Sequence, residues 1–210
     1  MNKSAFITFE GGEGVGKSTQ IRLLADHLRL AGRQVVLTRE PGGSPTAEEV
    51  RNLLVTGDND RWSPLAETLL FYAARVEHWR QVIAPALSAG QIVLCDRFSD
   101  STLAYQAHAG GMQPEQITAL HDLVLPGSSP DLTLILDMPV REGLARAKAR
   151  PGMETRFEGK GLEFHEKLRN GFLQIAQLHP DRCIVVDASR DVRTIQVDIL
   201  GALKARLNLG

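Results

Sequence analysis

Apolar residues along this chain gather in short runs separated by stretches of helical spacing. The runs Ala5–Phe9, Val35–Thr38, Ile92–Asp96, Leu132–Asp137 and Cys183–Asp187 are rich in β-branched residues and nearly continuous in hydrophobicity. That is the pattern of strands covered on both faces, as in a parallel sheet wrapped by helices. Between them apolar positions recur at three and four, as Ile21, Leu24, Leu28 and Ala31 do within Ser18–Ala31. Further helices are predicted at Thr46–Val55, Ser99–His108, Pro114–Val124, Val140–Arg150, Leu162–Leu178 and Val192–Leu207. The longest is expected from Pro64 to about Ala89, with Ser63 as cap, Pro64 in the first turn and Gly90 at the end. Pro85 should kink it or end it early. Strand–helix alternation of this kind predicts a three-layer α/β fold, a five-stranded parallel sheet flanked by helices. With no internal repeat and no long linker, residues 1–210 read as one domain. The segment Arg150–Gly161, with Pro151, Gly152 and Gly159, reads as a mobile lid loop of about 150–161 between two helices.

The first strand runs into Gly11-Gly12-Glu13-Gly14-Val15-Gly16-Lys17-Ser18, and a helix follows at once. This fits G-x-x-x-x-G-K-[ST], in which glycines let the backbone turn its N–H groups toward phosphate oxygens. Lys17 can reach the β/γ-phosphates, Ser18 can ligate Mg²⁺, and Thr19 begins the helix whose N-terminus favours anions. Strand, loop and helix in the right order make a nucleoside triphosphate the expected ligand.

Composition narrows the setting. A net charge of −1 argues against a general nucleic-acid surface, and charged residues at 23% suit a globular domain. Cys95 and Cys183 lie inside strands, outside any C-x-x-C pair, so buried reduced thiols are expected. No apolar run is long enough to span a membrane, and the first strand leaves no room for a signal peptide. A cytoplasmic location is therefore expected.

Other clusters follow the strands. Thr38-Arg39-Glu40-Pro41-Gly42-Gly43 is a tight polar turn after the second. Asp96, Asp137 and Asp187 end three strands, where ligands of open α/β sheets gather. Asp96 could hold Mg²⁺ near Ser18 or cap the next helix, and Arg97 could bind phosphate bidentately. Phe71 and Arg75 share a helix face at i, i+4. They could stack on a nucleobase and donate to its carbonyl edge, or be a core residue with a surface ion-pair arginine. Ser101 and Tyr105 share the next helix face, with Gln106 adjoining. Arg146, Arg150 and Arg156 lead into and through the lid, where they could close over a transferring phosphoryl group or form a solvated basic face.

Taken together, these motifs resemble the thymidylate kinases, a family of P-loop nucleoside monophosphate kinases. The resemblance rests on Phe9–Thr19, Thr38–Gly43, Phe71–Arg75, Asp96-Arg97 and Pro130–Thr133, in order and spacing over almost the whole chain. It implies ATP-dependent phosphorylation of dTMP to dTDP with Mg²⁺, usually in a homodimer, with no nucleic-acid or membrane partner. It implies that Phe71 stacks on thymine, Arg75 meets the base carbonyl, and Ser101 and Gln106 address the base edge. Tyr105 would crowd the ribose 2′ position. Arg97 would hold the dTMP phosphate, with Glu13, Glu40, Pro41 and Arg51 lining that site. The ATP side would comprise Gly11, Gly12, Glu13, Gly14, Val15, Gly16, Lys17, Ser18 and Thr19, with Arg146, Asp187 and Ala188 near adenine. Ser18 and Asp96 would serve the metal. Val15 stands where some members carry an arginine. The chain is therefore similar to the bacterial subclass whose lid supplies the catalytic arginine, here Arg150 or Arg156, beside Lys17 and Arg97. Other monophosphate or deoxynucleoside acceptors and a nucleotide-dependent switch remain open from the residues alone. A guanine-type N-K-x-D is missing, since the only Asn-Lys, Asn2-Lys3, precedes the phosphate loop.

Overall fold

The computed structural model describes residues 4–58, 61–149 and 160–209. Strands β1 (Ala5–Glu10), β2 (Val35–Arg39), β3 (Ile92–Asp96), β4 (Leu132–Asp137) and β5 (Cys183–Asp187) form one parallel sheet in the order β2-β3-β1-β4-β5. Central β1 pairs Ile7 with Leu94 on one side and with Leu132 on the other. All six of its residues are buried, whereas edge strands β2 and β5 are partly open. Strand order reverses at β1, so the loop after it emerges at the switch point where such sheets bind ligands.

The helices are α1 (Lys17–Leu30), α2 (Pro45–Val55), α3 (Pro64–His78), α4 (Ala84–Ser88), α5 (Ser99–Thr102), α6 (Pro114–Val124), α7 (Val140–Lys148), α8 (Leu162–Leu178) and α9 (Val192–Leu207). On one sheet face, Ile21, Leu24 and Leu28 of α1 and Ile195, Ile199 and Leu203 of α9 pack against Ile7, Phe9, Leu94 and Leu134. The other face is covered in two parts, by Ile83, Ala86 and Phe98 against Phe6 and Val93, and by Leu168, Phe172 and Ile175 against Ile135. Both cysteines are buried and unbridged. No described helix is long and apolar enough to cross a membrane.

Two predicted helices hold a surprise. The regular α-helix does end early, at His78, where α3 passes into a π-helical turn, Trp79–Ile83, and Pro85 then lies in the first turn of α4, a position proline tolerates. The helix then stops at Gly90, left-handed at φ 76°, with Gln91 N donating to Ala86 O. Ser99–His108 likewise starts as α5 and widens into a π segment, Leu103–His108, where Ala109 N reaches back to Ala104 O. The widened turn buries both Tyr105 and Gln106.

Candidate active site

Glycines shape the loop between β1 and α1 by two separate means. Gly11, Gly14 and Gly16 adopt positive φ, which side chains disfavour. Close approach is the second constraint. A Cβ on Gly14 would sit 1.9 Å from Gly143 O, and one on Gly143 would sit 2.5 Å from Glu13 O. The loop is thus seated backbone to backbone on α7. Val15 is buried in the sheet core, which explains an apolar residue there. Gly16 begins α1 without a side-chain cap, so no capping side chain takes the first N–H groups of the helix, the groups by which helix N-termini bind anions.

Lys17 Nζ donates to Gly11 O at 3.1 Å and Gly12 O at 2.7 Å across the loop mouth. Burial, then the nearby Arg97, lowers its pKa to about 8 against the opposing pull of Glu13, Asp96 and Glu10. Ser18 Oγ donates to Asp96 Oδ2 at 3.1 Å, so the two expected metal-side oxygens converge. Both are hard oxygen donors, the set Mg²⁺ prefers alongside substrate phosphates and water. Among the described residues no cluster of three or more acidic, His or Cys side chains forms a separate metal cage.

Arg97 is the hinge between the phosphate loop and the second half of the site. It takes a left-handed backbone at φ 71°. Its Nη1 donates to Gly11 O at 3.0 Å and Ser101 Oγ at 3.2 Å, and its Nη2 to Glu13 Oε1 at 2.8 Å. The guanidinium lies over the Tyr105 ring, 5.0 Å from its centroid, and Tyr105 Oη also donates to Glu13 Oε1, at 2.5 Å. Burial works against the charge of Glu13, but Arg97, Lys17 and the Tyr105 hydroxyl outweigh it and hold the carboxyl at about 2.

Facing this lies α3. Arg75 is fully buried, which overturns the surface ion-pair alternative. Its Nε donates to Glu40 Oε2 at 2.7 Å, and its Nη2 to Phe98 O at 3.1 Å and Thr102 Oγ1 at 2.8 Å. Glu40 Oε1 meets His78 Nδ1 at 3.0 Å, and His78 Nε2 meets Thr38 Oγ1 at 2.6 Å. This network draws the Thr38–Gly43 turn onto α3, and Arg51 donates to Pro41 O. Half-buried Phe71 sits one turn before Arg75 on the same helix.

The remaining candidates divide. Arg146 Nη1 donates to Ala188 O at 3.3 Å, uniting the α7 arginine with the turn after β5. Asp187 spends its carboxylate on its own turn, accepting from Ser189 N and Oγ and pairing with Arg190 at 3.3 Å. Asp137 is held bidentately by Arg169 at 2.7 and 2.8 Å. Of the three strand-ending acids, only Asp96 therefore meets Ser18. Half-buried Thr19 follows Ser18 in the first turn of α1. Arg150, Arg156 and most of the expected lid lie outside the described residues.

Two acids escaped the sequence reading. Glu10 ends β1 fully buried, accepting from Phe98 N at 2.7 Å and Ser101 Oγ at 2.5 Å, and burial raises its pKa with help from Asp100. Glu67, one turn before Phe71, accepts from Gln106 Nε2 at 2.8 Å. A carboxylate closing an apolar strand was the available signal for Glu10; for Glu67 it was the i, i+4 step to Phe71.

Comparison with known proteins agrees with this geometry. A family model described as thymidylate kinase matches residues 9–199. The thymidylate kinase of Caulobacter vibrioides is 56% identical over 209 residues, covering all of both chains. That of Ruegeria pomeroyi is 50% identical, covering 97% of this chain and 96% of its own. The crystal structure of thymidylate kinase from Ehrlichia chaffeensis superposes with a TM-score of 0.77 at 38% identity, covering 96% of this chain and 99% of that one. Matches of this length and identity show that the chain belongs to the thymidylate kinase family.

Proposed function

We propose how the residues of this chain divide the work of its reaction, the ATP-dependent phosphorylation of dTMP to dTDP. The observation that carries the assignment is the direct bond between Glu13 of the phosphate loop and Arg97. It makes the donor cradle and the acceptor cradle neighbours. Gly11–Thr19 hold the triphosphate of ATP, with Arg146, Asp187 and Ala188 toward adenine. Arg97 holds the dTMP phosphate, flanked by Glu13, Glu40, Pro41 and Arg51. Phe71 stacks on thymine, Arg75, Ser101 and Gln106 meet its polar edge, and Tyr105 closes the sugar side.

A phosphate oxygen of dTMP attacks the γ-phosphorus in line, a new P–O bond forms, and the bond to the departing ADP oxygen breaks. The attacking oxygen is already anionic at neutral pH, so no strong general base is required. The work of the protein is alignment and charge neutralisation. Lys17, in its protonated form, and Arg97 offset the charge from the two sides. Arg150 or Arg156 completes the set from the lid. Ser18, with Asp96 beside it, would hold Mg²⁺, which would supply charge neutralisation at the phosphates. The chain works in the cytoplasm as one domain and as a homodimer. Exposed Leu65 and Leu69 on α3 and Leu123 on α6 offer apolar surface for pairing.

A coupled ADP-release assay tests the assignment. Arg97→Met should lower kcat/KM for dTMP about a hundredfold or more, as loss of a charge-assisted phosphate contact does. ADP release that ignores the acceptor, or an Arg97→Met enzyme matching the unaltered one, refutes it.

A further inference from the structure

The acceptor site contains two polar atoms whose chemistry is fixed by neighbours rather than by free choice. Arg75 and Gln106 are 1% and 2% exposed. Among the described residues, Arg75 Nη1 and Gln106 Oε1 are buried without a hydrogen-bond partner. Arginine can only donate, so its half of the pattern is invariant. Glutamine can present either its oxygen or its NH₂, and an amide flip would exchange acceptor for donor. Here the choice is made by Glu67. Its buried carboxylate accepts from Gln106 Nε2 at 2.8 Å, and a carboxylate offers no donor to the flipped amide.

Position on the helices strengthens the point. Glu67, Phe71 and Arg75 follow one another at i, i+4, i+8 along α3, and Thr102 and Gln106 are four apart on the facing segment. Two cross-helix bonds, Arg75 to Thr102 at 2.8 Å and Glu67 to Gln106 at 2.8 Å, thus flank Phe71. We infer that Glu67 is a specificity-determining positioning residue. By locking the Gln106 amide it offers the base an acceptor beside the donor of Arg75, the complement of a 3-NH/4-oxo pyrimidine and the inverse of a 3-N/4-amino one. This inference rests on the reading of the Phe71–Arg75 face as the base site. It predicts rejection of cytosine, whose N3 accepts and whose 4-amino group donates, independently of the thymine methyl.

The test is a comparison of dTMP and dCMP as acceptors for the unaltered enzyme, Glu67→Gln, Gln106→Ala and the double variant. A glutamine at 67 can both donate and accept, so it frees the amide at 106. The kcat/KM preference for dTMP over dCMP should then fall about 10- to 100-fold, mainly through KM. Arg75 still opposes the 4-amino group, so the preference relaxes without reversing. In the Gln106→Ala background, Glu67→Gln should shift the ratio no further, because nothing remains to orient. An unchanged ratio, proportionate loss on both acceptors, or additive effects in the double variant overturns the inference. An unaltered enzyme that does not prefer dTMP over dCMP instead overturns the base-site reading itself, and the inference with it. Should Glu67→Gln fail to fold, the side-chain NH₂ signal of Gln106 in ¹⁵N-labelled unaltered enzyme decides. Slow hydrogen exchange supports the lock; exchange as fast as a surface glutamine overturns it.

Discussion

Two glycines inside helices allow one substitution to be tested in opposite settings. Gly143 lies in α7 and Gly201 in α9. In a helix interior, alanine is favoured over glycine by about 1 kcal/mol. At Gly201 a Cβ meets nothing within 4 Å, so Gly201→Ala should show that gain, raising Tm by about 2–4 °C with unchanged kinetics. At Gly143 the Cβ would lie 2.5 Å from the carbonyl oxygen of Glu13. Relief requires a displacement of roughly half an ångström or more. The neighbouring contact of Gly14 with Gly143 O prevents α7 and the loop from sliding past each other. Overpacking of this kind costs about 1–3 kcal/mol and cancels or exceeds the propensity gain. The displaced segment is the phosphate cradle itself, where errors near 1 Å lower rates by about a hundredfold. Gly143→Ala should therefore lower kcat/KM for ATP about 10- to 100-fold without raising Tm. Steady-state kinetics and thermal melts of the two variants side by side provide the measurement. If Gly143→Ala is stabilised and fully active, as Gly201→Ala is expected to be, the loop is not seated on α7 as argued.

Lys17→Met should reduce kcat about 10²–10³-fold, as removal of one preorganised charge-stabilising donor does. The same variant should melt higher at pH 7. Burial holds the Lys17 pKa at about 8, below its ordinary 10.5, so the charged form burdens the fold below pH 8 and is relieved as pH rises toward 10.5. Glu13 behaves oppositely: held at about 2 rather than 4.5, it adds stability above pH 4.5 that is lost as pH falls toward 2. Unfolding free energy between pH 5 and 3 should consequently fall less steeply for Glu13→Gln than for the unaltered chain. Phe71→Ala should weaken dTMP by about 1–3 kcal/mol in calorimetric titration and leave ATP nearly untouched, the range for losing a base–aromatic stack. Equal losses for both nucleotides would make Phe71 a core residue.

The strands were legible because burial on both faces leaves continuous apolar runs, and all five were found near their observed limits. The phosphate loop was legible because its chemistry is local, with Lys17 reaching carbonyls only five and six residues away. What stayed hidden depends on distant partners. Glu10 finds Ser101 across 91 positions, and Glu67 finds Gln106 across 39, so neither pairing leaves a periodic trace. Arg75 was ambiguous for the same reason. A guanidinium at i+4 from an aromatic reads equally as surface or interior until Glu40, 35 residues earlier, is seen beneath it. The π-helical turn before Pro85 shows the other limit: the proline rule foretold an early end to the α-helix but not the backbone form it takes.

Arg97 bonds Gly11, Glu13 and Ser101 with its own side chain. If Arg97 holds the acceptor phosphate as proposed, an arriving monophosphate exchanges partners with a resident carboxylate, and the free energy of docking is the difference between two charge-assisted contacts. On that assignment the grip on the acceptor would be moderated, and a diphosphate formed in the same place would face a rival anion ready to reclaim the guanidinium. The internal pair between Glu13 and Arg97 would then work as a return spring, favouring departure after each turnover over accumulation of a tightly held product.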